Sequence, residues 1–337
     1  MPVRPLLHWH TAALQAQLAP LLPGLRVQAV AEIDSTSSAL LARARGVAGQ
    51  PADPPPCLLV AEHQSAGRGR QGKAWQSSAG ASLTFSLALP LAPADWSGLS
   101  LAVGLALADT LDPLQPGQPA RVGIKWPNDL LLRDLPTGGE AALNTGSNTG
   151  GQGRIGRIGR KLGGILIETV QVGSQRLAVV GVGLNLQPLP ALPAGTPALS
   201  WGHASLQELP ALQSSGAQPI SAPQALARVA LPLLQALLAF ERHGFAPLQQ
   251  RFARRDLLAG QPVLTTLPEL PQGIADGVDE TGTLWLRVPQ AAAGAGPAAP
   301  AQRWPVRSGE LSLRQPAAET TAAAATPTGP GTGAGPC

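Results

Sequence analysis

Short apolar runs broken by clusters of Gly, Pro, Ser and Asn set the rhythm of this chain. Residues 57–62 (CLLVAE) are a short, mostly apolar run, as in a buried strand, and residues 83–89 (LTFSLAL) alternate and predict a second. Residues 25–30 and 177–186 (LAVVGVGLNL) predict two more, the last ending in a glycine turn. Residues 121–132 (RVGIKWPNDLLL) predict two short strand pieces about a Pro-Asn-Asp turn. Residues 128–133 and 162–169 suit a hairpin whose tip carries residues 136–160, a Gly-, Asn- and Thr-rich flexible insertion without apolar period. Surface loops accept such insertions at small entropic cost.

Helical patterns fall between these strands. Residues 6–22 form a weakly amphipathic stretch closed by Pro23-Gly24. Asp34-Ser35-Thr36-Ser37 places oxygen-bearing side chains just before the apolar residues 39–42, a helix N-cap signal. Residues 97–111, 222–242 and 246–258 predict further helices, the second kinked at Pro232. From residue 260 the character changes to short strands (261–267, 272–278, 283–288, 302–306) separated by turns such as Asp279-Glu280-Thr281-Gly282. That is the pattern of a small β-barrel or sandwich. The expected division is an N-terminal helical extension at 1–29, a main domain at 30–259, a small β-domain at 260–315 and a disordered tail at 316–337. Strands joined first by hairpins, with helices later, make the fold class α+β rather than doubly wound.

Composition narrows the function. The 337 residues are 44% hydrophobic and only 13% charged, with 39 Gly and 35 Pro, which suits a globular protein bearing loop-rich insertions. A net charge of +4 favours an anionic ligand, and since the basic residues form no long run but sit in Gly-rich motifs, a small phosphate-bearing ligand fits better than nucleic acid. Cys57 and Cys337 make a disulfide framework improbable and suit a cytoplasmic location. The five histidines (His8, His10, His63, His203, His243) lack zinc-site spacing. No signal peptide or uncharged apolar run of membrane length is present, so no membrane partner is expected.

Four segments carry candidate chemistry. Gly67-Arg68-Gly69-Arg70-Gln71-Gly72-Lys73 formally matches a dinucleotide fingerprint, but the Ala-Trp-Gln-Ser-Ser that follows is poor helix. Its three cations on a glycine-rich backbone fit a loop that wraps a phosphate or carboxylate; a solvated basic turn is the plain alternative. Lys125-Trp126-Pro127-Asn128-Asp129 is a turn that either packs a Trp or holds a triphosphate or hydrated Mg²⁺. In Arg160-Lys161-Leu162-Gly163-Gly164-Ile165-Leu166-Ile167-Glu168 a lysine opens an apolar strand beside two glycines, where a ligand can come close; a surface lysine at a strand end is the plain alternative. Gly181-Val182-Gly183-Leu184-Asn185 marks a bulge or close ligand approach at a strand end, with an amide suited to a base edge or a turn cap.

The joint order of these segments is far more specific than any one of them. Asp34-Ser35-Thr36, then Gln64 to Trp75 with its GRGR core, then KWPND, KLGGILIE and GVGLN resembles the catalytic domain of bacterial biotin–protein ligases over residues 30–260. Gly309-Glu310-Leu311-Ser312-Leu313-Arg314 resembles the close of that family's small C-terminal domain. The resemblance implies a mixed β-sheet with helices, related to class II tRNA synthetases and lipoate ligases, plus an SH3-like β-barrel. It implies an enzyme that forms biotinyl-5′-AMP from biotin and ATP, then transfers biotin to a lysine of the biotin carboxyl carrier protein of acetyl-CoA carboxylase.

By family position, Lys161 and Arg68 are the catalytic pair. Ser35, Thr36, Ser37, Gln64, Gly67, Arg68, Gly69, Arg70, Lys161 and Gly164 bind biotin, and Arg70, Lys73, Trp75, Asn128, Asp129 and Asn185 bind ATP or the adenylate. Mg²⁺ arrives with ATP, with Asp129 its candidate protein ligand. Ser37 stands where the family often has Asn, and Gln71 and Lys73 where it often has Arg; Lys73 keeps the charge but loses the bidentate fork. Some members carry an N-terminal winged helix that binds operator DNA. About 33 residues precede Asp34, too few for that module, so no specific DNA binding is expected, while a homodimer is common in the family.

Overall fold

The computed structural model describes residues 7–46, 56–134, 158–188, 202–209, 212, 219–288, 302–307 and 311–313. Most of the expected insertion and the whole tail lie outside the described residues.

One seven-stranded sheet organises the larger part. Its strands are β1 (Arg26–Ile33), β2 (Cys57–Gln64), β3 (Ser82–Pro90), β4 (Val122–Lys125), β5 (Asp129–Leu132), β6 (Arg160–Val172) and β7 (Gln175–Asn185), in the spatial order β1-β2-β3-β7-β6-β5-β4. β1 pairs parallel with β2 and every other pair is antiparallel, so the sheet is mixed, as expected. The expected hairpin is present: Leu132 pairs with Arg160 and Asp129 with Gly164. β2 and β3 are buried along almost their whole length; β2 is accordingly near-continuously apolar, while the buried Thr84 and Ser86 of the alternating β3 have hydrogen-bond partners.

Helices α1 (Thr11–Leu18), α2 (Thr36–Arg45), α3 (Leu99–Leu111), α4 (Ala222–His243) and α5 (Gln249–Ala253) surround the sheet. α2 starts where the N-cap signal predicts, with the Ser35 hydroxyl accepting from Ser38 N at 3.3 Å. α4 runs on through Pro232, and its Leu226, Val229, Leu233, Leu237 and Phe240 form a buried stripe. Among the described residues it is the one helix long and apolar enough to cross a bilayer, but this stripe belongs to the main core and α4 packs against α3. The helix expected over 246–258 is shorter than predicted. A 3-10 turn (Ala246–Leu248) leads into α5, and the chain then bonds to β4 through Ile124 N→Arg255 O at 2.7 Å and Leu257 N→Ile124 O at 3.1 Å. Sheet-like pairing of residues 255–257 has replaced the helix there.

The second sheet is wholly antiparallel: β8 (Pro262–Thr265), β9 (Gln272–Val278), β10 (Leu284–Val288), β11 (Gln302–Val306) and β12 (Leu311–Leu313), in the order β11-β10-β9-β8-β12. It matches the expected small SH3-like unit. It joins the larger part where Trp126 Nε1 donates to Gly282 O at 3.1 Å and Gln249 Nε2 to Val278 O at 2.8 Å. Gly98 and Gly282, both at positive φ, meet so closely there that a Cβ on Gly282 would lie 2.6 Å from Gly98 Cα.

Candidate active site

The site lies beside the N-terminus of α2, where β2 and β7 end and β5 and β6 begin. Gln64 closes β2, and its Oε1 accepts from Thr36 N at 2.7 Å and from Thr36 Oγ1 at 3.1 Å. Ser86 on β3 links Thr36 Oγ1 at 2.7 Å to Ser37 Oγ at 2.9 Å. These five groups form a buried polar floor, each satisfying another. Ser86 was missed by sequence reasoning because a serine in an alternating strand carries no signal of its own. Gly181 leaves room for this floor, since a Cβ there would lie 2.6 Å from Ser37 Oγ.

The glycine-rich segment after β2 is a compact hairpin rather than an open loop. Arg68 bridges Ala74, Gly69 N donates to Lys73 O at 2.7 Å, and Trp75 N donates to Gly67 O at 2.9 Å. Gln71 takes a left-handed conformation at its tip (φ 53°). A Cβ on Gly67 would collide with the Trp75 carbonyl, so this glycine serves the approach of the two arms and does not line the cavity.

Trp75 lies over the strand ends. A Cβ on Gly183 would strike its indole ring, and one on Gly164 would lie 3.3 Å from Cζ3. The glycines of KLGGILIE and GVGLN thus make the seat of a tryptophan from a third motif. Gly183→Val should drive the ring off this seat and lower the rate of any reaction beneath it on the order of 10²-fold, the usual cost of misplacing a positioning group by about 1 Å. Steady-state kinetics on that variant check this, and unchanged rates would remove Trp75 from the site.

The cations converge as expected. Arg68, Arg70, Lys73, Lys125 and Lys161 line one cavity of about 270 Å³, together with Ser35, Thr36, Ser37, Gln64, Gly69, Trp75, Asn128, Asp129 and Gly164. Lys161 Nζ pairs with Asp129 Oδ1 at 2.8 Å and lies 5.8 Å from the Trp75 ring centre. Arg68 pairs with Glu168 at 2.8 Å and reaches Ser38 Oγ at 3.2 Å. Arg70 NH1 meets Asn128 Oδ1 at 3.4 Å, while Asn128 Nδ2 donates to Ile165 O at 2.8 Å and fixes the turn that follows the cis Trp126–Pro127 bond. Lys125, buried at the end of β4, is a further cation that the reading of its motif as a turn passed over.

Asn185, the expected base contact, also links backbone segments. It is 2% exposed and does not line the cavity. Its Nδ2 donates to Lys161 O and Ala204 O, each at 3.1 Å, tying β7 to β6 and to the segment 202–209. Only its Oδ1, buried without a partner, is left for any ligand. The same segment is anchored by Arg160, which bonds Glu208 at 2.6 Å and Asp134 at 2.8 Å; these hydrogen bonds raise the Arg160 pKa. Burial disfavours the charged Glu208, but Arg160 and Ser205 N outweigh it and hold the carboxyl below its usual range.

His203 lies beside Lys161, and both its ring nitrogens are buried without partners. Burial first, and the Lys161 charge second, push its pKa below 6.5. With the folded value below the unfolded one, the unfolded chain takes up the proton first. Stability is therefore full above pH 6.5 and declines as pH falls below it. His203→Asn should flatten that decline in melting curves between pH 7 and about 5; an unchanged slope would assign it to other groups.

The sequence profile of the Biotin/lipoate A/B protein ligase family matches residues 34–185, which span every one of these motifs. The biotin–[acetyl-CoA-carboxylase] ligase of Mycobacterium tuberculosis is 32% identical over 272 residues, covering 78% of this chain and 84% of that protein. This chain belongs to the biotin–protein ligase family. The bifunctional ligase/repressor BirA of Escherichia coli is 31% identical over 274 residues, 80% of this chain and 72% of that one. The fold agrees. A biotin protein ligase from Aquifex aeolicus, solved in complex with biotin and ATP, superposes with a TM-score of 0.58 at 21% identity, over 86% of this chain and 99% of that one.

Proposed function

We propose that this chain activates biotin with ATP and attaches it to a lysine of the biotin carboxyl carrier protein of acetyl-CoA carboxylase. In the first step a biotin carboxylate oxygen attacks the α-phosphorus of ATP, forming the biotinyl–phosphate bond and releasing pyrophosphate. In the second the carrier's ε-amine, having lost its extra proton to solvent, attacks the acyl carbon and AMP leaves. Both nucleophiles belong to substrates. The protein's task is to cancel carboxylate–phosphate repulsion, stabilise charge on the transferring group and exclude water.

The observation that carries this reading is the convergence of cations from three separate segments, two of them glycine-bearing, on one cavity with a hydroxyl-rich floor. In it, Lys161 and Arg68 act on the acyl–phosphate link. Ser35, Thr36, Ser37 and Gln64 meet the polar groups of biotin, with Gly69 and Gly164 allowing close approach. Arg70, Lys73, Asn128 and Asp129 serve the phosphates, Lys73 as a point charge. Trp75 covers the adenylate, and Asn185 acts indirectly by holding the strand that bears Lys161. Mg²⁺ fits as an ion carried by the nucleotide: among the described residues no group of three acidic, His or Cys side chains could hold a metal, and Asp129 supplies one carboxylate at the cavity. Bound, it would screen the phosphate charge.

The domain division at residue 260, a cytoplasmic location, self-association, and the absence of operator DNA and membrane from its partners complete the reading. Sedimentation with and without biotin and ATP tests the self-association. The deciding experiment combines purified protein, biotin, MgATP and a biotin carrier domain, with product read on a streptavidin blot. Biotinylated carrier is expected. No product with a competent carrier, or preferential use of lipoate, would overturn the assignment.

A further inference from the structure

We propose that Glu168 is a positioning residue that latches the glycine-rich hairpin over the cavity through Arg68, and so sets how long the adenylate stays bound. The proposal rests on the ligase reading above. Glu168 follows the apolar Ile165-Leu166-Ile167 of β6, and its Oε1 accepts from Arg68 NH2 at 2.8 Å. Its second oxygen is buried with no partner. An apolar residue would suit such a position better for stability alone, because a buried, unsatisfied carboxylate oxygen is costly. The Arg68 contact is the compensating interaction.

The guanidinium also donates to Ser38 at 3.2 Å, so one side chain ties the hairpin to both β6 and α2. Because Arg68 bridges Ala74, and Trp75 N donates to Gly67 O, the hairpin moves as a unit. Holding Arg68 therefore holds Trp75 on its glycine seat. With Arg68 45% and Glu168 25% exposed, the pair adds little to global stability. A contribution of that size is still enough to change the dwell time of a ligand beneath the hairpin, about fivefold.

The test uses the full chain loaded with biotinyl-5′-AMP formed in place from biotin and MgATP. Adenylate release after dilution, labelling of bystander lysines, single-turnover pyrophosphate formation and melting temperature are compared for wild type, Glu168→Gln and Glu168→Asp. In Glu168→Gln, release should quicken about fivefold and bystander labelling rise, with melting unchanged and single-turnover pyrophosphate formation slowed by less than release is quickened. Added salt should quicken release from wild type but not from this variant, and Glu168→Asp should recover part of the retention. Wild-type release from Glu168→Gln, or equal losses in both variants with a lowered melting temperature, would overturn the latch. A wild-type protein that forms no adenylate would instead overturn the ligase reading, and this proposal with it.

Discussion

Lys161→Ala is expected to lower biotin-dependent pyrophosphate release on the order of 10²–10³-fold while leaving the fold in place. The rate argument rests on charge. Joining a carboxylate to the α-phosphate brings two anions together, and the Lys161 ammonium sits in the cavity where that charge must be met, held by Asp129 at 2.8 Å and beside the Trp75 ring. In the substituted protein Asp129 would face the incoming phosphate without its counter-charge, so repulsion is added to the lost attraction. The stability argument rests on the backbone. Lys161 N donates to Gly202 O at 3.0 Å and its carbonyl accepts from Ala204 N at 2.9 Å, and alanine keeps both bonds. Isotopic pyrophosphate exchange with a parallel melting curve tests the two halves separately. Exchange within tenfold of wild type would remove Lys161 from the role given to it.

Arg255→Ala should produce the largest loss of stability, about 3 kcal/mol, the lower end expected when one member of a buried charge network is removed. The Arg255 side chain is fully buried. It bonds Asp109 at 2.6 Å, Asp112 Oδ2 at 3.1 Å, Val122 O at 2.8 Å and Asp112 O at 2.5 Å. Asp112 Oδ2 also accepts from Arg121 N and Val122 N, at 2.8 and 2.9 Å. The network thus fixes the start of β4, whose far end runs into the Lys125–Asp129 turn of the site. Asp109 is 26% exposed, and water reaching it softens the penalty. Chemical denaturation reads the change directly; a loss under about 1 kcal/mol would mean that relaxation or water repairs the gap.

Much of this arrangement was legible because its signals are local. The apolar run at 57–62, the alternation at 83–89 and the hydroxyls before α2 each announce an element through nearest neighbours. The motif order led to the cavity because each motif lies at the start or the end of a strand, at the same edge. What escaped depends on partners distant in sequence. Ser86 matters through Thr36 and Ser37, about fifty positions earlier, and Glu168 through Arg68, 100 positions away. Gly164 and Gly183 read as places for a ligand, but in the structure they first seat Trp75. An amide at a strand end has no mark of which partners it takes, and the bonds of Asn185 Nδ2 to the carbonyls of Lys161 and Ala204 were not legible. The short α5 and the last strand, β12, were hidden for the same reason, since pairing with β4 and β8 decides them rather than local propensity.

The central claim is that the cations of three separate segments meet at the bond between a biotin carboxyl and AMP. A crystal structure of the protein with a non-hydrolysable analogue of biotinyl-5′-AMP tests it most directly. The account predicts the phosphate within hydrogen-bond reach of Lys161 Nζ and of at least one arginine of the 67–73 hairpin, with Trp75 over the ligand. An analogue bound with its phosphate away from Lys161, or outside this cavity, would contradict it.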